Sequence, residues 1–420
     1  VSIFDLIATL LVLTALFAFA NHVVLRLPQT IGLLIVGLGA SLLLVALQIA
    51  FPRIGLQETV TTYVRQIDFR ATVLDGMLAF LLFAGAMQVD LTRLKSRALA
   101  VGSMATIGVL ISTAIAGIGF WLIAGWTGLS VSLAWALVFG ALISPTDPVA
   151  VLSTLKTVDV PDTLETDMSG ESLFNDGVGV VVFTALLAIA AGSSGHGGEG
   201  GGSLSQVAEL FLVEALGGAL LGLVAGYAAF RMMRAIDDYP VEVLISLGLV
   251  AGTYALAGHL HMSGPIAVVV AGLLIGNRGP HHAFSDLTQR YMFGFWQLVD
   301  EILNAVLFLL IGLEVLVLRF DLSFGWAMGL AIPLVFLSRL VAVAVPVLTL
   351  SRFMPFMKGT IAILTWGGLR GGISIALALS IPETPEKSAI LAATYAVVLF
   401  TIIVQGLTLK RVVLRFADCN

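Results

Sequence analysis

Apolar residues come in long runs along this chain, and polar residues gather in the short gaps between them. Runs of about 17 to 25 residues are the length that crosses a hydrocarbon core of roughly 30 Å as a helix. Thirteen such spans are predicted, over 3–25, 29–50, 71–90, 99–124, 130–155, 167–191, 206–230, 240–259, 263–277, 292–318, 324–350, 357–381 and 388–409. The periodicity is helical, without the roughly ten-residue alternation of a membrane β-barrel. The predicted fold class is an all-α polytopic membrane protein.

Composition agrees. Hydrophobic residues make up 59% and charged residues 11% of the 420 positions, and mean hydropathy is +1.05. Soluble domains carry about 25% charged residues. A cytosolic enzyme, a nucleic-acid binder and a disordered scaffold are excluded, and a net charge of −5 leaves no basic stripe for phosphates. The single cysteine, Cys419, allows no intrachain disulfide.

Cations in the connections set the orientation, because cytoplasmic connections retain Lys and Arg. With the N-terminus outside, 14 fall inside (Arg26; Arg93, Lys95, Arg97; Lys156; Arg231, Arg234; Arg278, Arg290; Arg352, Lys358; Lys410, Arg411, Arg415). Five fall outside: Arg53, Arg65, Arg70, Arg319 and Lys387. A multi-pass protein of the cytoplasmic (inner) membrane with a cytoplasmic C-terminus is therefore expected. The first span lacks a positive leading region and reads as a retained helix rather than a signal peptide. Residues 51–70 read as an amphipathic segment on the outer surface, and the Gly/Ser-rich stretch 192–203 reads as a flexible linker between two halves.

Arg339 and Arg370 are left inside spans, where a charge is costly and needs a partner or a function. Two spans also carry interruptions. Span five holds Ser144-Pro145-Thr146-Asp147-Pro148, whose two prolines each lack an amide donor and clash with the preceding turn. Span twelve holds Trp366-Gly367-Gly368-Leu369-Arg370-Gly371-Gly372. Freed backbone groups are tolerated at that depth only beside a cavity or an ion. Seven spans apart, the two segments run in opposite directions, which points to an inverted repeat with two broken, crossing helices around a midplane site.

Span six opens with Gly170-Glu171-Ser172-Leu173-Phe174-Asn175-Asp176-Gly177. Ser172 and Asp176 share one helix face, and Glu171 and Asn175 share the adjoining one. Asp147 is their natural neighbour across a short connection. Carboxylate, hydroxyl and loosened carbonyl oxygens suit a hard monovalent cation, and no His or Cys cluster suggests a transition metal or any other cofactor. Two aspartates in a low-dielectric cavity cannot both stay ionised cheaply, so they hold a proton as a pair. Asp176 is the favoured carrier of proton and cation. Glu171 is the expected partner of Arg339, and Arg370 is expected to offset the negative carbonyl ends of the broken helices.

Asp5, Asp75, Glu214, Asp300, Glu301 and Glu314 lie singly or near span ends, where interface solvation or helix contacts account for them. His259, His261, His281 and His282 read as solvated connections, and Gly37, Gly39, Gly217, Gly218, Gly222 and Gly226 as close helix packing.

Taken together, Ser144 to Val151, Gly170 to Gly177, Phe336-Leu337-Ser338-Arg339-Leu340 and Gly368 to Gly371 resemble the sodium/proton antiporters of the cation:proton antiporter-1 family, bacterial NhaP type. The resemblance implies a homodimer in membrane lipid, each protomer having a mobile core and a static interface domain. By that pattern 1–90 and 206–318 supply interface helices, 91–191 and 319–420 the core, and 192–205 the linker. Asp176 would carry ion and proton, with Asp147, Ser172 and Thr146 completing the cation site. Glu171 and Arg339 would form a structural pair, and Asn175 marks the electroneutral branch. Sodium, lithium and potassium all remain open as the transported ion.

The expected mechanism is one-for-one exchange of sodium or lithium for a proton by alternating access. A potassium/proton antiporter or a sodium-coupled carrier of an organic solute is the nearest rival. From another class, an intramembrane aspartyl protease could use Asp147 and Asp176, but the double proline and the Arg339 counter-charge favour transport. A channel would show a ring of repeated filter residues, and none is present.

Overall fold

The computed structural model describes residues 3–51, 69–147, 151, 160–193, 204–316 and 324–417. The expected surface segment over 51–70 and the expected linker over 192–203 lie outside these residues except at their ends, as do residues 148–150.

The described residues form helices throughout. In chain order these are α1 (Ile3–Ala20), α2 (Gln29–Ala50), α3 (Leu78–Gln88), α4 (Leu91–Ser96), α5 (Ala98–Ser103), α6 (Val109–Thr127), α7 (Leu133–Ile143), α8 (Asp162–Ser193) and α9 (Leu204–Met233). Then follow α10 (Tyr239–His259), α11 (Gly264–His282), α12 (Asp286–Glu314), α13 (Gly325–Leu350), α14 (Thr360–Trp366), α15 (Gly372–Leu379), α16 (Lys387–Phe400) and α17 (Gly406–Ala417). A π turn over Thr401–Gln405 joins the last two.

Among the described residues, ten helices are long and apolar enough to cross a membrane, and each falls on an expected span. Length alone does not return the count of thirteen, because the fifth, ninth and twelfth expected spans are missing from the ten. The fifth is helical only over α7, and the twelfth is split into α14 and α15. The ninth, α11, runs beyond its expected end at 277 into Arg278, His281 and His282. The chain is a multi-pass membrane protein. Its helices turn apolar side chains outward, as Phe4, Leu11 and Leu16 on α1 and Leu216, Leu220 and Val224 on α9 do.

Local chemistry sets the corners. Gly128 adopts φ 76° after α6, a left-handed conformation without Cβ penalty, and Ser132 then caps α7 through the Trp135 amide. Asp238, Ser263 and Ser285 cap α10, α11 and α12. In one set of helices α2 packs on α12, α3 on α11 and α12, and α9 and α10 on α11. Trp296 is the buried centre, 4.6 Å from the Phe83 ring and donating to Ser246 Oγ at 3.0 Å. In the other set α6 packs on α7 and α13, α8 on α7, and α16 on α13 and α15. Of the glycines read as packing positions, Gly218, Gly222 and Gly226 bring α9 against the α11 backbone at Ser263, Ala267 and Ala271, and Gly37 meets α12, whereas Gly39 faces open space.

Candidate ion site

The site begins where α7 stops. Ser144 to Asp147 are not helical, and Thr146 is buried while Asp147 is half-buried. The second interruption separates α14 from α15, and the two unwound stretches meet. The Asp147 amide donates to the Leu369 carbonyl at 2.8 Å. In return, Arg370 Nη1 donates to the carbonyls of Ser144 and, at 2.9 Å, Pro145. Missing donors are the cause: α7 ends in carbonyls with no following amides, and a guanidinium takes them.

Asp147 stands beside the opposite kind of end. A Cβ at Gly371, which precedes the first residue of α15, would strike the Asp147 carboxylate. Only glycine lets the chain pass so close. The positive pole of α15 therefore faces an anion and the negative pole of α7 faces a cation.

Helix α8 supplies the rest. Asn175 clamps the unwound chain from both sides: its Nδ2 donates to Thr146 Oγ1 at 2.8 Å, and its Oδ1 accepts from the Thr146 amide at 3.3 Å. Ser172 Oγ lies 3.1 Å from Thr146 Oγ1. Asp176, one turn beyond Ser172, is 8% exposed, and its carboxylate and that of Asp147 are close enough to repel each other. Glu171 receives both guanidinium arms of Arg339, with Nη2 to Oε2 at 2.9 Å. Arg339 Nη2 also donates to Leu364 O at 3.1 Å, near the end of α14. All eight positions singled out in the sequence thus lie on α8, on α13 or on the two unwound stretches: Thr146, Ser172 and Asn175 are linked by hydrogen bonds, Glu171 and Arg339 form an ion pair, and Arg370 holds the carbonyls just before Thr146.

Among the described residues, no group of three or more His, Cys, Asp or Glu is placed to hold a metal ion. The oxygens gathered here are two carboxylates and two hydroxyls, hard donors of the kind that take a hard cation or a proton.

The profile of the family described as "Sodium/hydrogen exchanger, transmembrane" matches residues 9–415. The chain belongs to this family. This sodium/hydrogen exchanger family member is 47% identical to the Na(+)/H(+) antiporter NhaP of Pseudomonas aeruginosa over 98% of this chain and 96% of that protein. It is 37% identical to the Na(+)/H(+) antiporter NhaH of Halobacillus aidingensis, over 89% of this chain and 90% of that protein. Its fold is similar to that of the sodium proton antiporter MjNhaP1 from Methanocaldococcus jannaschii, with a TM-score of 0.76 at 21% identity, covering 98% of this chain and 99% of the other.

Some of this exchanger-family chain reads differently in sequence. Arg97, counted there only among the cations of an inside connection, is 5% exposed. It binds the Asp167 carboxylate with both arms, Nε to Oδ1 at 2.8 Å. It also donates to Pro355 O at 2.9 Å and lies 4.5 Å over the Phe356 ring. Asp167 stands four residues before Glu171, and that spacing was the one available signal. Glu314, for which interface solvation or helix contacts near a span end were both expected, is buried at 8% exposure, which leaves the helix contacts.

Proposed function

We propose that this chain exchanges sodium or lithium for protons across the cytoplasmic membrane, one for one, with Asp176 taking either ion. Support comes from the neighbouring carboxylates of Asp147 and Asp176 beside an unwound backbone, together with relatives named as Na(+)/H(+) antiporters. Thr146, Ser172 and Asp147 complete the cation shell. Asn175 holds the unwound segment, and Arg339 spends its charge on Glu171.

Charge explains the coupling. The site and its support hold three carboxylates, Asp147, Glu171 and Asp176, against two guanidiniums, Arg339 and Arg370, a net charge of −1 when all are ionised. One sodium or one proton brings the sum to zero, so either loaded form can cross the apolar barrier. The empty form is held back by the cost of desolvating its charge. Binding is competitive, and acid raises the apparent KM for sodium with little change in the maximal rate.

The core, 91–191 and 319–420, moves against interface helices from 1–90 and 206–318 in a homodimer whose C-termini are cytoplasmic. The test is pH-gradient dissipation in proteoliposomes under a screen of sodium, lithium and potassium. Sodium or lithium, added without a membrane potential, collapses the gradient without current, and Asp176→Ala abolishes the response while the protein remains folded. A response to potassium alone replaces this reading with potassium/proton exchange. Flux indifferent to Asp176→Ala rules out the assigned carrier.

A further inference from the structure

Arg370 is fully buried, and only part of its guanidinium is accounted for. Nη1 holds the carbonyls of Ser144 and Pro145, but Nε and Nη2 have no protein partner among the described residues. The same holds for two other buried atoms, Thr365 Oγ1 and Gln405 Oε1. All three side chains line one small pocket with Arg339 and Thr401, walled by apolar residues of α13. Buried polar groups left unpaired are rare in proteins, and their convergence on one pocket marks a bound polar molecule.

The π turn at Thr401–Gln405 points to the same place. Thr401 Oγ1 accepts from the Arg370 amide at 3.1 Å, and Gln405 closes the turn at the pocket wall. Such turns inside helices concentrate at functional sites, because they re-aim side chains that a regular helix would turn elsewhere.

We propose that Thr365 and Gln405 are positioning residues, holding Arg370 through buried water in this pocket and thereby fixing the carbonyls that precede the cation ligands Thr146 and Asp147. The occupant follows from the donor and acceptor pattern. Arg370 offers three N–H donors, Gln405 Oε1 only accepts, and the Thr365 hydroxyl does both. Water accepts from the arginine and donates to the amide oxygen. A halide would satisfy Arg370 but oppose Gln405 Oε1, and its charge would upset the neutrality of the loaded site. The inference rests on the antiport reading, since its consequence is the affinity for the transported cation.

The experiment measures sodium-dependent proton movement in proteoliposomes for Gln405→Leu, Thr365→Val and the conservative Thr365→Ser. The first two raise the apparent KM for sodium about five- to tenfold with the maximal rate per folded protein nearly unchanged, and Thr365→Ser restores wild-type KM. A high-resolution cryo-EM map then shows density bridging Arg370 Nη2 and Gln405 Oε1. Unchanged KM in both apolar variants, or loss of rate only in proportion to lost folded protein, overturns the assignment. Halide density in that pocket in a bromide-containing sample overturns it as well. A wild-type protein with no sodium-driven proton movement brings down this inference and the antiport reading together, whereas an active wild type with indifferent variants removes this inference alone.

Discussion

Helix α8 carries three arginine–carboxylate pairs in its first ten residues, and the pair at its start differs from the two that follow. At its start, Asp162 meets Arg93 at 3.0 Å, with side chains 68% and 53% exposed. Asp167 and Glu171 meet Arg97 and Arg339 with every side chain at most 8% exposed. Each inner guanidinium also takes a backbone carbonyl, Pro355 for Arg97 and Leu364 for Arg339. Nine residues of helix, about 14 Å, separate the outermost pair from the innermost. Beyond Glu171 no further arginine pair on α8 is seen among the described residues, and Asp176 lies near Asp147. Asp162, Asp167 and Glu171 are each paired with an arginine, and the two aspartates Asp147 and Asp176 lie where α8 meets the two broken helices.

The sharpest way to break the comparison is at its innermost pair along α8. Arg339→Gln leaves Glu171 buried without its cation, a change that costs about 3–5 kcal/mol in comparable buried pairs. Folded protein recovered in detergent falls steeply, as read by size-exclusion profile and melting temperature. Adding Glu171→Gln to the same chain recovers much of the loss, because no unpaired charge is left. Wild-type stability of the single variant would mean that burial does not set the buried pairs apart from the exposed one.

The pair one turn earlier comes next. It is as buried as the innermost one, so Arg97→Gln, which leaves Asp167 without its cation, falls in the same range of about 3–5 kcal/mol and lowers the melting temperature by a comparable amount. Arg97→Lys does not restore it, since an ammonium cannot match the two-armed contact with Asp167. Phe356→Leu removes the ring beneath the guanidinium, at about 0.5–2 kcal/mol. Equal effects of Arg97→Gln and Phe356→Leu would assign the stabilisation to packing rather than to the pair.

These pairs also separate what the residues reveal in sequence from what they do not. Arg339 stands inside an apolar run, where the expense of a bare charge demands a partner, and Glu171 was within reach. The breaks were equally legible, since Pro145 and Pro148 cannot continue a helix and Gly367, Gly368, Gly371 and Gly372 do not favour one. Arg97 follows Arg93 and Lys95 in what reads as an inside connection, and nothing in that run of cations says which one folds inward. Its burial depends on the turn at Pro355 and Phe356, more than 250 residues away. The Gln405 and Thr365 pocket has the same origin: a π turn and a neighbouring helix end bring together residues that are unremarkable in sequence. Helix existence was local information, while the ninth span's true end, and the burial of Glu314, depended on neighbours distant in the chain.

The smallest effect belongs to the exposed end, where α4 meets α8. Arg93→Gln removes a pair open to water, worth at most about 1 kcal/mol, and high salt erases the difference by screening. The cap of α4 offers a finer test. Asp90 accepts from the Thr92 amide at 2.7 Å and the Arg93 amide at 3.3 Å. The Thr92 hydrogen bond holds its carboxyl below the ordinary value of 3.8, against an opposing contribution from burial. A carboxyl lowered on folding stabilises the helix start fully above its unfolded value, and the gain disappears as pH falls through the folded one. Asn is a comparable cap without a titrating charge. Hydrogen exchange at the Thr92 and Arg93 amides, compared at matched pH so that intrinsic rates cancel, is slower in the wild type than in Asp90→Asn near neutrality. The two converge in acid below the carboxylate range. If the difference instead persists in acid, the ionised carboxylate is not what secures the helix start, and the exposed end of the series owes its order to contacts other than charge.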